Sequence, residues 1–401
     1  MTPIERPMAG IRVLDIATFI AAPFCGTILA EFGAEVIKIE QPGLGDPLRA
    51  FGTPTEAGDS LVWLSEGRNK RSVTLDLRKQ EGAEVFRRLV AQSDVVLENF
   101  RPGTLEKWGL GPVELHAINP RLIMLRISAY GQTGPYRDMP GFARIAHAFS
   151  GLSFLAGMPD GPPVVPGSTS LADYLSGMWG AIGVLMALRA IGDSGRGQII
   201  DIGLYESIFR LLDELAPAYD KFGVVRERMG PDVPHVVPHG HWRTGDDQWI
   251  ALACSSDRIF ARFAELIGQP DLSAPDRFAT SPQRIKGRAE INAAVTAWVG
   301  GLPAGEVLER CNTAGVPCGP VLSIADIFGN PQYHARGNLQ MIDDPRVGPL
   351  TVPAPLPAMS GTPPRLDHLG RALGADTEDV LRDIAGIDPA RFHELRREKV
   401  V

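Results

Sequence analysis

Cysteine is scarce in this chain: Cys25, Cys254, Cys311 and Cys318 are the whole supply among 401 residues, and no two of them form a CxxC pair. That argues against a disulfide framework and a Cys-based zinc module, and it fits a reduced, cytoplasmic compartment. Excess positive charge is missing as well. The formal net charge of -7 argues against a nucleic-acid binder, although a local basic pocket can still hold a phosphorylated ligand. The first residues, Met1-Thr2-Pro3-Ile4-Glu5-Arg6-Pro7, lack the basic and then apolar profile of a signal peptide, and no apolar run approaches the ~20 residues of a membrane span. The expectation is a soluble, enzyme-sized protein with neither a membrane nor a nucleic acid as partner.

Several signatures of chemistry are absent too. Ala17-Thr18-Phe19-Ile20-Ala21-Ala22-Pro23 lacks the closely spaced glycines of a dinucleotide site, so a Rossmann-like sheet here implies no dehydrogenase. There is no GxSxG elbow and no Ser/His/Asp constellation. His235, His239 and His241 stand among prolines without an acidic or Cys ligand at matching spacing, so a linker is expected there and no metal. Cys318, close to Pro317 and Pro320, reads as a packed turn residue.

What is present is an alternation. The hydrophobic content of 44% supports a large core and two domains. Gly10–Ile16 and Glu35–Glu40 are strand-like around a helical Ala22–Phe32, a βαβ unit, and further strands are predicted at Ser72–Leu77, Val95–Glu98, Leu122–Ile127 and Gln198–Ile202. Glu81–Gln92 has the apolar spacing of a helix laid on a sheet, and Leu204 to about Phe222 reads as one long helix. The fold class is α/β: a Rossmann-like parallel-sheet large domain over 1–222, a smaller α+β domain over 223–325, and a return to the large domain over 326–401.

One acid stands out within this pattern. Asp173 opens the apolar, glycine-studded run Leu171 to Leu188, where a carboxylate loses hydration and, without a partner, becomes reactive. An acid in the first turn of a helix, after Ser168-Thr169-Ser170, is equally the residue expected of a cap favoured by the helix dipole. Local pattern leaves both readings open. Two further segments, Arg68-Asn69-Lys70-Arg71-Ser72 with Arg78, and Glu98-Asn99-Phe100-Arg101-Pro102-Gly103 running on to Lys107, have the cations and aromatic platform of a nucleotide-bearing ligand site, although charged strand ends are also often merely solvated.

Taken together, Gly10–Asp15, Phe32–Glu40, Asn69–Ser72, Glu98–Gly103, Asn119–Ile123, Gly195–Gln198 and Val316–Pro320 resemble, in order and over nearly the whole length, the family III CoA-transferases, which include formyl-CoA transferase and carnitine CoA-transferase. The resemblance implies a nucleophile at Asp173, no permanently bound cofactor, acyl-CoA and small carboxylic acids as substrates, and an interlocked homodimer. It implies a CoA site drawn from Phe19, Arg71, Leu75, Arg78, Asn99, Phe100, Arg101, Lys107 and Arg137. Gln41 replaces an arginine of formyl-CoA transferase, and Ile20 replaces a polar residue of the oxalate-handling site. Gly141–His147 and Pro166–Asp173 look more like the branch acting on C4 and C5 dicarboxylates such as succinate, malate, citramalate, mesaconate or itaconate. Arg49, Arg144, His147 or His241 are the expected partners of the distal carboxylate, near Ile20 and Phe142.

Two alternatives stand beside transfer: a non-catalytic CoA-binding protein, and an α-methylacyl-CoA racemase. Racemases of that type pair the acid with a histidine where this chain has Phe142, which cannot move a proton.

Overall fold

Short β-branched segments flanked by amphipathic ones become, in the computed structural model, a parallel sheet; the structure describes residues 6–401. Its strands are β1 (Arg12–Asp15), β2 (Glu35–Glu40), β3 (Lys70–Thr74), β4 (Val95–Glu98), β5 (Ile123–Ser128) and β6 (Ile199–Gly203), in the order β3-β2-β1-β4-β5-β6. Every pairing is parallel. Side chains alternate between two buried faces: Val13, Val95, Leu97 and Leu125 pack on one, Leu14, Val96 and Met124 on the other. Burial on both faces explains why these strands read as continuous apolar runs. The strand order reverses between β1 and β4, which opens a crevice at their carboxyl ends.

The helix Leu171–Ser194 lies on the first of those faces, against the helix Ala21–Glu31. Its glycines are the contact surface. A Cβ at Gly177 would stand 2.6 Å from the Ala21 carbonyl oxygen, one at Gly180 2.6 Å from Leu125 Cδ2, and one at Gly183 3.1 Å from Ile200 Cγ2. Gly195, at φ 66°, ends the helix. The expectation of no apolar run near membrane-span length is corrected here: Leu171–Gly192 is long and apolar enough to cross a membrane by length and composition. Its apolar character serves this helix and sheet packing along one side.

Two compact units divide the chain. The first comprises the chain up to Leu152, Gly167–Lys221 and His334–Val401. The C-terminal part of this unit adds the hairpin β10 (Leu339–Asp344) and β11 (Gly348–Pro353), once the second unit's β7 (His239–Arg243), β8 (Trp249–Ala253) and β9 (Cys318–Pro320) have been counted. It then ties back to the helix Ala21–Glu31 and to the sheet: the Arg365 N–H donates to the Glu31 carbonyl at 3.0 Å and the Ser72 N–H of β3 to the Asp376 carboxylate at 2.9 Å. The second unit, Ser153–Pro166 with Phe222–Tyr333, sets the antiparallel β7-β8-β9 sheet and the helices Asp257–Leu266, Arg288–Gly300 and Ala304–Ala314 around Phe260, Phe263, Val295 and Cys311. Ser153–Pro166 thus groups apart from the rest of 1–222. The predicted helix from Leu204 to Phe222 is two helices, Leu204–Phe209 and Leu215–Phe222, with Asp213 between them at φ 41°. The predicted linker through His241 already contains β7.

Candidate active site

Asp173 occupies the first turn of its helix, yet it caps nothing. Ser170 makes no side-chain cap bond, and the Asp173 carboxylate accepts no hydrogen bond from any described residue. Burial alone pushes its pKa up to about 7. The carboxylate lines a cavity of about 220 Å³. The walls come from the segments at or after the ends of β1 (Thr18, Phe19, Ile20), β4 (Asn99, Phe100, Arg101) and β5 (Ser128, Ala129), closed by Arg137, Met139 to Phe142 and Leu204. That is the crevice which the strand order predicts.

The floor segment Ala17–Phe19 is held in an unusual shape by buried polar groups. Phe19 takes the left-handed region at φ 60°, costly for an aromatic residue and sustained only by surrounding contacts. Its N–H donates to Asp46 Oδ1 at 3.0 Å. The Thr18 N–H donates to Asn99 Oδ1 at 2.8 Å, while Asn99 Nδ2 donates back to the Thr18 carbonyl at 2.7 Å. Lys38 donates to the Ala17 carbonyl and pairs with Asp46 at 2.8 Å. Beneath them Lys70 pairs with Asp15 at 3.0 Å, both buried. The Phe19 ring meets Phe51 and Phe142 edge-on, each at 6.1 Å between centroids.

A second cavity of about 430 Å³ shares Thr18 and Phe100 with the first. Leu75, Arg78, Gln41 and Trp108 line it, and Trp108 meets Phe100 edge-on at 5.2 Å. Arg78 is half exposed and bonded to Asp76 at 2.8 Å. Its apolar walls suit a nucleotide base, and Arg78 is the cation available to a phosphate, beside the carboxylates Glu40, Asp46 and Asp76.

The structure therefore gathers Phe19, Ile20, Asn99, Phe100, Arg101, Arg137 and Phe142 around Asp173, and Leu75 and Arg78 next door. Other expectations are corrected. Arg49 is buried and committed, bonded to Glu40 at 2.6 Å and Asp59 at 2.8 Å, with its guanidinium 3.7 Å from the Trp63 ring centre, so it has no free face for an acceptor. Arg71 sits toward the amino end of β3 and pairs with Glu35 at 2.8 Å, away from the crevice. Asn99 lines the cavity, but its amide is occupied by Thr18. Lys107 and Arg144 are exposed and line neither cavity. His147 is 1% exposed and lines neither; its Nε2 accepts the Ala172 N–H at 3.1 Å. His241 belongs to β7 in the second unit, lining an open depression with Asp232 and Cys318. Sequence reasoning missed Asp46 and Lys38, whose partners are distant in sequence, and Ser128, whose buried hydroxyl has no described partner.

Known proteins place this geometry. Residues 8–377 match the family model described as CoA-transferase family III. The chain is 54% identical to the succinyl-CoA–L-malate CoA-transferase beta subunit of Chloroflexus aurantiacus, covering 100% of this chain and 99% of that protein. It is 41% identical to the succinyl-CoA–D-citramalate CoA-transferase of the same organism, covering 99% and 98%. A crystal structure of a CAIB/BAIF family protein from Brucella suis superposes with a TM-score of 0.82 at 33% identity, over 95% of this chain and 100% of that one. With a match over most of its length, the chain belongs to CoA-transferase family III and is a CoA-transferase.

Proposed function

We propose that this enzyme moves CoA from a succinyl-CoA-like donor to a C4 or C5 dicarboxylate, malate or citramalate among them, with Asp173 as the covalent nucleophile. The observation that carries the reading is the carboxylate itself: desolvated, unpaired and facing a cavity at the sheet switch point. The Asp173 carboxylate attacks the thioester carbonyl, forming a mixed anhydride and expelling CoA thiolate. The thiolate attacks the aspartyl carbonyl, releasing the donor acid and leaving an aspartyl-CoA thioester. An acceptor carboxylate attacks that thioester, expels the thiolate again and forms a second anhydride. Return of the thiolate to the acceptor's carbonyl gives the new acyl-CoA and regenerates Asp173. No nucleoside triphosphate is consumed, because each acyl bond is exchanged for another.

Apolar walls such as Phe19, Ile20 and Phe142 protect the anhydrides from water. Among the described residues, Arg101 and Arg137 are the only other ionisable walls of that cavity, which favours transfer over a racemase's paired acid/base chemistry. Identity of 54% and 41% to relatives named for malate and citramalate supports the acceptor class. Incubation with succinyl-CoA followed by hydroxylamine should place a hydroxamate on Asp173, read by peptide mass spectrometry. Transfer confined to monocarboxylic or aromatic acids in an acceptor panel would refute the substrate class.

We further propose a homodimer. Met178, Ile182, Leu185 and Met186 recur along one side of the helix Leu171–Ser194 and are all exposed in the single chain, a contiguous apolar ribbon that a second copy would cover. Relatives named alpha and beta subunits make a mixed assembly the outcome that would displace this reading.

A further inference from the structure

We infer that His147 is a positioning residue for the nucleophile, holding the first turn of the Asp173 helix from outside it. The inference rests on Asp173 being the attacking group. His147 lies on the helix Ala143–Phe149, which packs against both Leu171–Ser194 and Leu204–Phe209. A helix leaves its first N–H groups without intrahelical partners, and the N-cap side chain ordinarily takes one. Ser170 does not. The buried imidazole substitutes: Nε2 accepts the N–H of Ala172, the residue immediately before Asp173.

Ser207 Oγ, which donates to the Leu204 carbonyl at 2.7 Å and meets Ser176 Oγ at 2.9 Å, also comes within 3.4 Å of the Ala172 carbonyl, so buried polar groups adjoin the same turn from the next helix. The bond to Ala172 also fixes the ring's state. Nε2 must present its lone pair, so the imidazole is neutral and its proton sits on Nδ1. Burial first, and the charge of Arg144 second, hold its pKa down in agreement with that state.

The other nitrogen supplies the strongest argument. Nδ1 is buried and meets no described partner. A half-satisfied imidazole gains little stability over an apolar side chain, which would merely exchange the orphaned Nδ1 for an orphaned Ala172 N–H. The ring's one polar contact is the bond next to Asp173. Asp173 has no hydrogen bond of its own to fix its carboxylate, so its aim depends on the backbone that carries it, and errors of about 1 Å in aim cost up to ~100-fold in rate.

The test uses the full-length enzyme with His147→Leu, His147→Gln and His147→Asn. Glutamine places an acceptor oxygen near the Nε2 position, whereas asparagine offers the same group with too short a reach. Expected for His147→Leu are a kcat roughly 10- to 100-fold lower, an unchanged KM for acyl-CoA and a melting temperature near wild type. His147→Gln should recover most of the kcat, and His147→Asn should not. Wild-type kcat in the Leu variant, or a loss expressed in KM alone, overturns the inference. Should the Leu variant fail to fold, the Gln and Asn pair decides: equal kcat overturns it, and an active Gln beside an impaired Asn supports it. Hydroxylamine labelling of wild-type Asp173 separates the two claims, since absent label defeats the nucleophile reading itself, while equal labelling rates in wild type and His147→Leu defeat only this one.

Discussion

An unpaired acid makes two opposite demands on pH. As the proposed nucleophile, Asp173 would attack only when ionised, and burial raises its pKa to about 7, so kcat should climb as pH rises through about 7 and level off above it. Stability should run the other way. A carboxyl whose folded pKa lies above its unfolded value contributes most below the unfolded value, and that contribution is lost as pH rises through the folded one. Asp173→Asn should therefore abolish transfer and raise the melting temperature relative to wild type at pH 8, with the gain shrinking toward pH 5; equal melting curves at both pH values would contradict the desolvation account. The residue itself was visible in sequence as an acid in an apolar run. Its freedom from capping was not, because that depends on which groups surround the first turn in space. Arg49 shows the converse: a cation near a strand end looks like a ligand contact until Glu40, Asp59 and Trp63 are seen to enclose it.

Between residue and molecule, two elements decide the site. The turn Ala17–Phe19 depends on Asn99, whose amide satisfies both backbone groups of Thr18. Asn99→Ala removes both bonds, at a cost of up to about 1 kcal/mol for each half-buried group, and should weaken CoA binding by releasing Phe19 from its left-handed conformation. Calorimetric titration with CoA and a melting curve measure the two effects; unchanged affinity would make Asn99 a purely structural strut. The helix that carries Asp173 is the second element. Gly177→Ala would drive a methyl against the Ala21 carbonyl, so the helices must separate, at roughly 1–3 kcal/mol for overpacking. Periodicity exposed β1, β2, β4 and β5 well, since their apolar residues are buried on both faces, whereas β3 is rich in polar residues and β6 is largely exposed. It did not expose the turn clamp, because Asp46, Asn99 and Lys38 act across 21 to 81 residues of chain. It also joined Leu204–Phe209 to Leu215–Phe222, since their composition alone does not mark the break at Asp213.

At the scale of the whole molecule, the large unit is stitched from three stretches of chain, the last of which begins at His334 after the second unit has been completed. The Pro-rich return was legible as a tail that had to go somewhere; its anchors, Asp376 on Ser72 and Arg365 on Glu31, were not. The apolar ribbon Met178, Ile182, Leu185 and Met186 bears on assembly. Such a stripe is rarely left uncovered, and in the proposed homodimer a second copy would cover it without recruiting a different partner. Light scattering on the purified chain should give twice its 43.3 kDa mass. Ile182→Glu with Met186→Glu places two charges on the ribbon while avoiding the glycine face that packs on Ala21 and Leu125. That double variant should shift the mass toward one chain while leaving the far-ultraviolet dichroism unchanged. A wild-type monomer, or a double variant that keeps the doubled mass, would remove the ribbon from the interface.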